Sequence, residues 1–125
     1  MAGLVPKLDA KGDTMLQVTN KLLKEMTDII VREVNPLKII LFGSYARGTA
    51  RPDSDLDFLV VEDGPFSPQR SREAEMTRLC DSMFEYNIPI DFLVFSPEEI
   101  VKWGKAKNHV VAHALREGQV MYDRT

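Results

Sequence analysis

The chain has 125 residues, 44% of them apolar and 28% charged, with a formal charge of −3. That is one domain with a single sizeable core, and an acidic balance without a basic stripe argues against a dedicated nucleic-acid binder. One cysteine, Cys80, excludes an internal disulfide, no apolar run approaches bilayer length, and Met1–Pro6 lacks a signal-peptide pattern, so a soluble cytoplasmic protein is expected.

Residues 1–13 mix Gly3, Pro6, Gly12 and charges without a period and read as a flexible tail ahead of one domain, 14–125. From Thr14, a plausible N-cap, Leu16, Leu22, Leu23, Met26, Ile29, Ile30 and Val34 recur at helical spacing, and Asn35-Pro36 ends that helix. Lys38–Phe42 and Asp55–Val61 are short apolar runs of strand type. After Gly64-Pro65-Phe66, Ser67-Pro68 predicts the start of a second helix, whose apolar side is Ala74, Met76, Leu79, Cys80, Met83 and Phe84 and which runs to Asn87. Ile90–Phe95 is a third strand. Ser96-Pro97-Glu98-Glu99 is a capping box opening a helix that reaches Trp103 and stops at Gly104. Val110, Val111, Ala114 and Leu115 mark a last helix closed by Gly118, and Gln119–Tyr122 suits an edge strand.

The second strand, its crossover helix and the third strand form a βαβ unit, so those strands should run parallel. Asp55 and Asp57 open one and Asp91 opens the other, which brings three carboxylates to one sheet edge. Residues i and i+2 of a strand share a face, so Asp55 and Asp57 project together. Adjacent like charges repel unless a cation neutralises them, and an oxygen-only set suits Mg²⁺. Gly43-Ser44 ends the first strand and reaches the same edge only if that strand is antiparallel to the other two. The expected fold is α/β, a mixed sheet flanked by helices.

Gly43-Ser44, ten residues, Asp55-Leu56-Asp57, and a strand-borne Asp91 resemble the signature of the minimal nucleotidyltransferase family, within the superfamily typified by DNA polymerase beta. The likeness runs from about Ile39 to Phe95, and more weakly through Ala114–Tyr122. It implies a polymerase-beta-like core that transfers AMP from ATP to an acceptor hydroxyl. Two Mg²⁺ ions would sit on Asp55, Asp57 and Asp91, with Asp91 nearest the acceptor and able to take its proton. Gly43 would let the backbone approach a phosphate and Ser44 would donate to it, aided by a helix N-terminus if 44–47 are helical. Arg47 and Arg51 are candidates for the triphosphate, with a solvated loop charge as the alternative for each.

The chain leaves no room for separate acceptor-binding domains, so the acceptor should be small or a docked partner protein. The resemblance favours the second, since many such proteins look like antitoxins that adenylylate a tyrosine of a HEPN-type toxin. Two alternatives stand beside it: an antibiotic-modifying nucleotidyltransferase, and a non-catalytic nucleotide-binding module that neutralises its partner by contact. His109 and His113, four apart without a third ligand, read as solvated or capping residues. Tyr45 and the helical methionines read as packing.

Overall fold

The computed structural model describes residues 6–8, 14–16, 18–51 and 53–125. Strands β1 (Pro6–Leu8) and β2 (Thr14–Leu16) pair antiparallel, with Pro6 opposite Leu16. Helix α1 (Asn20–Val34) follows, then β3 (Lys38–Phe42), the single turn α2 (Ser44–Arg47) and β4 (Leu56–Val61). The chain continues with α3 (Arg72–Ser82), β5 (Ile90–Phe95), α4 (Pro97–Gly104), α5 (Val110–Glu117) and β6 (Gln119–Asp123). Among the described residues no helix is long and apolar enough to cross a membrane.

The main sheet has the order β5-β4-β3-β6. β4 and β5 are parallel, as the crossover requires, and β3 is antiparallel to both of its neighbours. Alternate residues feed two apolar layers. Ile39, Leu41, Leu56, Phe58, Val60, Phe92 and Val94 pack with α1 and α3, where Leu22, Met26, Ile30 and Leu79 are fully buried. Ile40, Leu59, Leu93 and Phe95 meet Ile100 of α4 and Ala114 of α5 on the other face. Phe58 and Phe92 stack across the parallel pair at 5.8 Å and 15°, fixing its register in the core.

Three helix boundaries differ from expectation, and β4 begins at Leu56, which leaves Asp55 just outside the strand. The first helix begins at Asn20, capped by Thr19, whose Oγ1 accepts from the Leu22 N–H at 3.1 Å. Thr14–Leu16 is strand instead, paired with a strand that falls within the segment read as a tail, and the rest of that segment lies outside the described residues. The second helix begins at Arg72 under a Ser71 cap, because Ser67 and Arg70 close a tight turn by exchanging backbone hydrogen bonds at 3.0 Å. It also ends early, at Ser82. The Ser82 hydroxyl donates to the Leu79 carbonyl at 2.6 Å and the Met83 N–H to Cys80 at 3.1 Å, which tightens the chain into a turn. Met83 stays buried, but Phe84, expected on the apolar side, points outward and is 86% exposed.

Candidate active site at one sheet edge

The end of β3 and the beginnings of β4 and β5 meet at one edge. Phe42 is opposite Asp57 in the antiparallel pair, and Asp57 is opposite Asp91 in the parallel pair. Asp57 and Asp91 therefore share a face with Leu59 and Leu93, the α4/α5 side. Asp55 lies one residue before β4 and two before Asp57, exposed at the edge.

The electrostatics carry the signature of crowding. Partial burial, then the charges of Asp91 and Asp55, raise the Asp57 carboxyl above its usual range, and Arg47 offsets part of that. Asp57 thus sits among like charges that a divalent cation would relieve. Among the described residues, no three His, Cys, Asp or Glu side chains form a cluster that could hold a metal ion. Mg²⁺ does not require one, since it usually takes one or two carboxylates and completes its octahedron with water and phosphate. The donor set fits a hard cation.

Gly43 caps α2 at φ 76°, a conformation that side chains disfavour. A Cβ at this position would overlap the Asp57 carboxylate, so both the backbone twist and the space demand glycine. Ser44 then opens α2, whose Arg47 N–H donates to the Gly43 carbonyl at 3.1 Å. The short helix expected at 44–47 is present, ending at Gly48 with φ 75°.

The two arginines are placed differently. Arg47 Nη1 lies 3.2 Å from Glu117 Oε2 at the end of α5, in an exposed pair close enough to Asp57 to lower its pKa. Arg51 is exposed on the following loop, where its backbone N–H donates to Ser54 Oγ at 2.7 Å. Glu117 was not singled out from sequence. Its place follows from β6 pairing with β3, which carries the end of α5 to the Gly-Ser turn. Cys80 was also missed as a neighbour. Burial, then Asp81 and Asp91, raise its thiol pKa, which places the end of α3 beside the acidic edge.

The histidines do not converge. His109 caps α5, with Nδ1 accepting from the Val111 N–H at 3.1 Å, and its ring stacks on Trp103 at 4.4 Å. His113 Nδ1 is instead 3.1 Å from Arg116. Tyr45 packs against the core, as expected.

The family model described as nucleotidyltransferase domain matches residues 21–121. The chain belongs to the nucleotidyltransferase domain family. It is also similar to a protein of Methanocaldococcus jannaschii provisionally named a protein adenylyltransferase, 36% identical over 89 residues, which span 68% of this chain and 77% of that protein. A structure from Sulfolobus solfataricus, provisionally called a nucleotidyltransferase, superposes with a TM-score of 0.56 at 21% identity, covering 83% of this chain and 79% of the other. A toxin–antitoxin structure with AMP-PNP superposes with a TM-score of 0.50 at 18% identity, covering 80% and 73%. At those identities the two structures establish the nucleotidyltransferase fold.

Proposed function

We propose that the protein transfers AMP from ATP to the hydroxyl of a tyrosine on a partner protein, with Mg²⁺ and with pyrophosphate leaving, as the antitoxin of a HEPN-type toxin–antitoxin pair in the cytoplasm. One observation carries the reaction: Gly43-Ser44, Asp55, Asp57 and Asp91 arrive at a single sheet edge from three different strands. The identity of the acceptor is supported by the name of the archaeal relative and by the toxin–antitoxin neighbour.

Asp55, Asp57 and Asp91 would hold Mg²⁺, which supplies neutralisation of phosphate charge and a more acidic acceptor hydroxyl. The chain's own residues do the rest. The bare backbone at Gly43, packed beside the Asp57 carboxylate, and the Ser44 hydroxyl and N–H would seat the triphosphate. Arg47, once released from Glu117, would reach its oxygens, and Arg51 would do so from the facing loop. Asp91, exposed at the rim, would accept the acceptor's proton on a carboxylate oxygen.

The test is incubation with labelled ATP and Mg²⁺ beside the product of the adjacent gene, followed by intact-mass measurement of that product. Added AMP masses that vanish with Asp55→Asn are expected. An unchanged partner mass, with toxicity still suppressed by Asp55→Asn, would mean neutralisation by contact alone.

A further inference from the structure

Asp57 and Asp91 are paired residues of β4 and β5, whereas Asp55 precedes β4 and lies outside the ladder. Strand pairing therefore does not place its carboxylate. The Asp55 backbone is fixed from both sides by other means. Downstream, the Leu56 N–H donates to the Pro89 carbonyl at 2.9 Å. Upstream, Arg51 and Ser54 close a tight turn with two reciprocal hydrogen bonds. The Ser54 N–H donates to the Arg51 carbonyl at 3.0 Å, and Ser54 Oγ accepts from the Arg51 N–H at 2.7 Å.

The backbone bond alone would form the turn, and the side-chain bond closes a second ring over the same two residues. That ring matters because of what it adjoins. Arg51, a candidate for the triphosphate, is the first residue of the turn, and Asp55 follows its last. Mg²⁺ demands near-ideal octahedral geometry, so a carboxylate that drifts by a fraction of an ångström loses affinity for it.

We infer that Ser54 is a positioning residue, whose hydroxyl closes the turn from Arg51 and so holds the Asp55 carboxylate in place for the cation. The inference rests on the assignment of Asp55 as a metal ligand. Ser54 acts through the backbone and needs no contact with ion or substrate.

The chain supplies a matched control beyond the opposite end of β4. Ser67 and Arg70 close a turn of the same length with two backbone bonds of 3.0 Å, and Ser67 Oγ accepts from the Arg70 N–H at 3.2 Å. That turn leads into α3 and carries none of the residues assigned to the site. Serine-to-alanine substitution should cost similar stability at the two turns, and only one of them should disturb the cation.

The probe is Mn²⁺, whose binding to the protein without nucleotide is read by electron paramagnetic resonance. Ser54→Ala and Ser67→Ala should each lower the melting temperature by about 2–6 °C. Mn²⁺ affinity should fall about tenfold in Ser54→Ala, the scale of losing an orienting partner, and hold its wild-type value in Ser67→Ala. Ser54→Thr keeps the hydroxyl and should restore it. Amide hydrogen exchange at Arg51 should quicken in Ser54→Ala and not in Ser54→Thr. In transfer assays Ser54→Ala should need about tenfold more Mg²⁺ for half-maximal rate while reaching nearly the wild-type maximum, because its ligand is misplaced and not removed.

Equal loss of Mn²⁺ affinity in Ser67→Ala overturns the inference by making the effect one of general stability. Failure of Ser54→Thr to restore affinity, or a maximal rate that excess Mg²⁺ does not recover, overturns it too. If Asp55→Asn abolishes Mn²⁺ binding and Ser54→Ala leaves it untouched, the metal reading stands and the positioning role is wrong. If the wild type takes up no Mn²⁺, or Asp55→Asn binds it equally well, the metal reading falls and the inference with it.

Discussion

Arg47 is tied to Glu117 across a 3.2 Å ion pair that joins the turn after β3 to the end of α5. Both side chains are substantially exposed, so the pair adds about 0–1 kcal/mol to stability and is easily exchanged. If Arg47 binds the triphosphate, as proposed, Glu117 would compete for it. Glu117→Gln should lower the KM for ATP about two- to fivefold at low salt, and Arg47→Ala should raise it about tenfold. Initial rates across ATP concentration give both values. If neither variant changes KM, Arg47 is a loop charge.

Asp57 is the most crowded of the three carboxylates. Asp55→Asn or Asp57→Asn should reduce transfer by about three orders of magnitude, the scale of losing a metal ligand and its charge. Without Mg²⁺, Asp57→Asn should melt at or above the wild-type temperature, because a repelling charge has been removed. A variant that transfers AMP at the wild-type rate would defeat the metal assignment.

Asp91 faces the acceptor side in this scheme, so Asp91→Asn should depress the single-turnover rate far more than Mg-ATP affinity. Calorimetric titration beside quenched-flow measurement separates the two. Equal losses in both would move Asp91 to the nucleotide.

Gly43→Ala combines a strained φ with overlap onto the Asp57 carboxylate. A loss of about 1–3 kcal/mol in stability is expected, the scale of one residue held in a disfavoured conformation. Transfer should fall by at least the amount seen for Asp57→Asn, since the carboxylate must move. Ser44→Ala keeps the backbone and should cost less, about tenfold in rate if one hydroxyl contact is lost.

Glu62 offers a pH test at the opposite end of β4. It is 1% exposed, and Arg70 Nη2 donates to its Oε1 at 3.0 Å. Oε2 is the buried side-chain oxygen without a partner among the described residues. Burial, then Glu75, push its pKa up to about 8, with Arg70 opposing. Protonation resolves the orphan, because a carboxylic acid can donate to Glu75. Since the folded pKa lies above the unfolded one, this group's stabilising contribution is complete below about pH 4.5 and is lost as pH rises through about 8. Melting temperature should therefore fall as pH rises from about 4.5 to about 8 and level off above, and Glu62→Gln, which keeps the neutral shape, should flatten that fall. An identical pH profile in the variant would count against a protonated Glu62.

The strands of the main sheet and their pairing were legible because each is a short apolar run whose alternate residues meet different helices, and because one βαβ crossover has a single sensible geometry, whereas the β1–β2 pair was not legible in the sequence at all. Lys38–Phe42 and Ile90–Phe95 fall where the sequence placed them. The capping box at Ser96 was equally explicit, with Glu99 donating nothing and accepting from the Ser96 N–H at 2.9 Å. The helix start was not legible at Ser67, because serine caps helices and closes turns by the same local hydrogen bonds, and the sequence pattern favours Thr14 over Thr19 although Thr14 lies in β2. The decision between Ser67 and Ser71 lay in a two-residue turn that composition does not encode. Among site residues, Asp57 and Asp91 were placed by strand register. Glu117 and Cys80 depended on which elements pack at the edge, and no motif announces that.

Asp57 and Asp91 are nearest neighbours in space only after α3 has folded back and β5 has docked in parallel register on β4. Parallel pairing is a late, long-range event, since the crossover must close before its contacts form. A cation held by both carboxylates would therefore find no site in a partly folded chain that lacks β5. Mg²⁺ binding would act only on the finished molecule, slowing unfolding without hastening folding. The ion's effect on the two arms of a chevron would then report when the acidic edge is assembled.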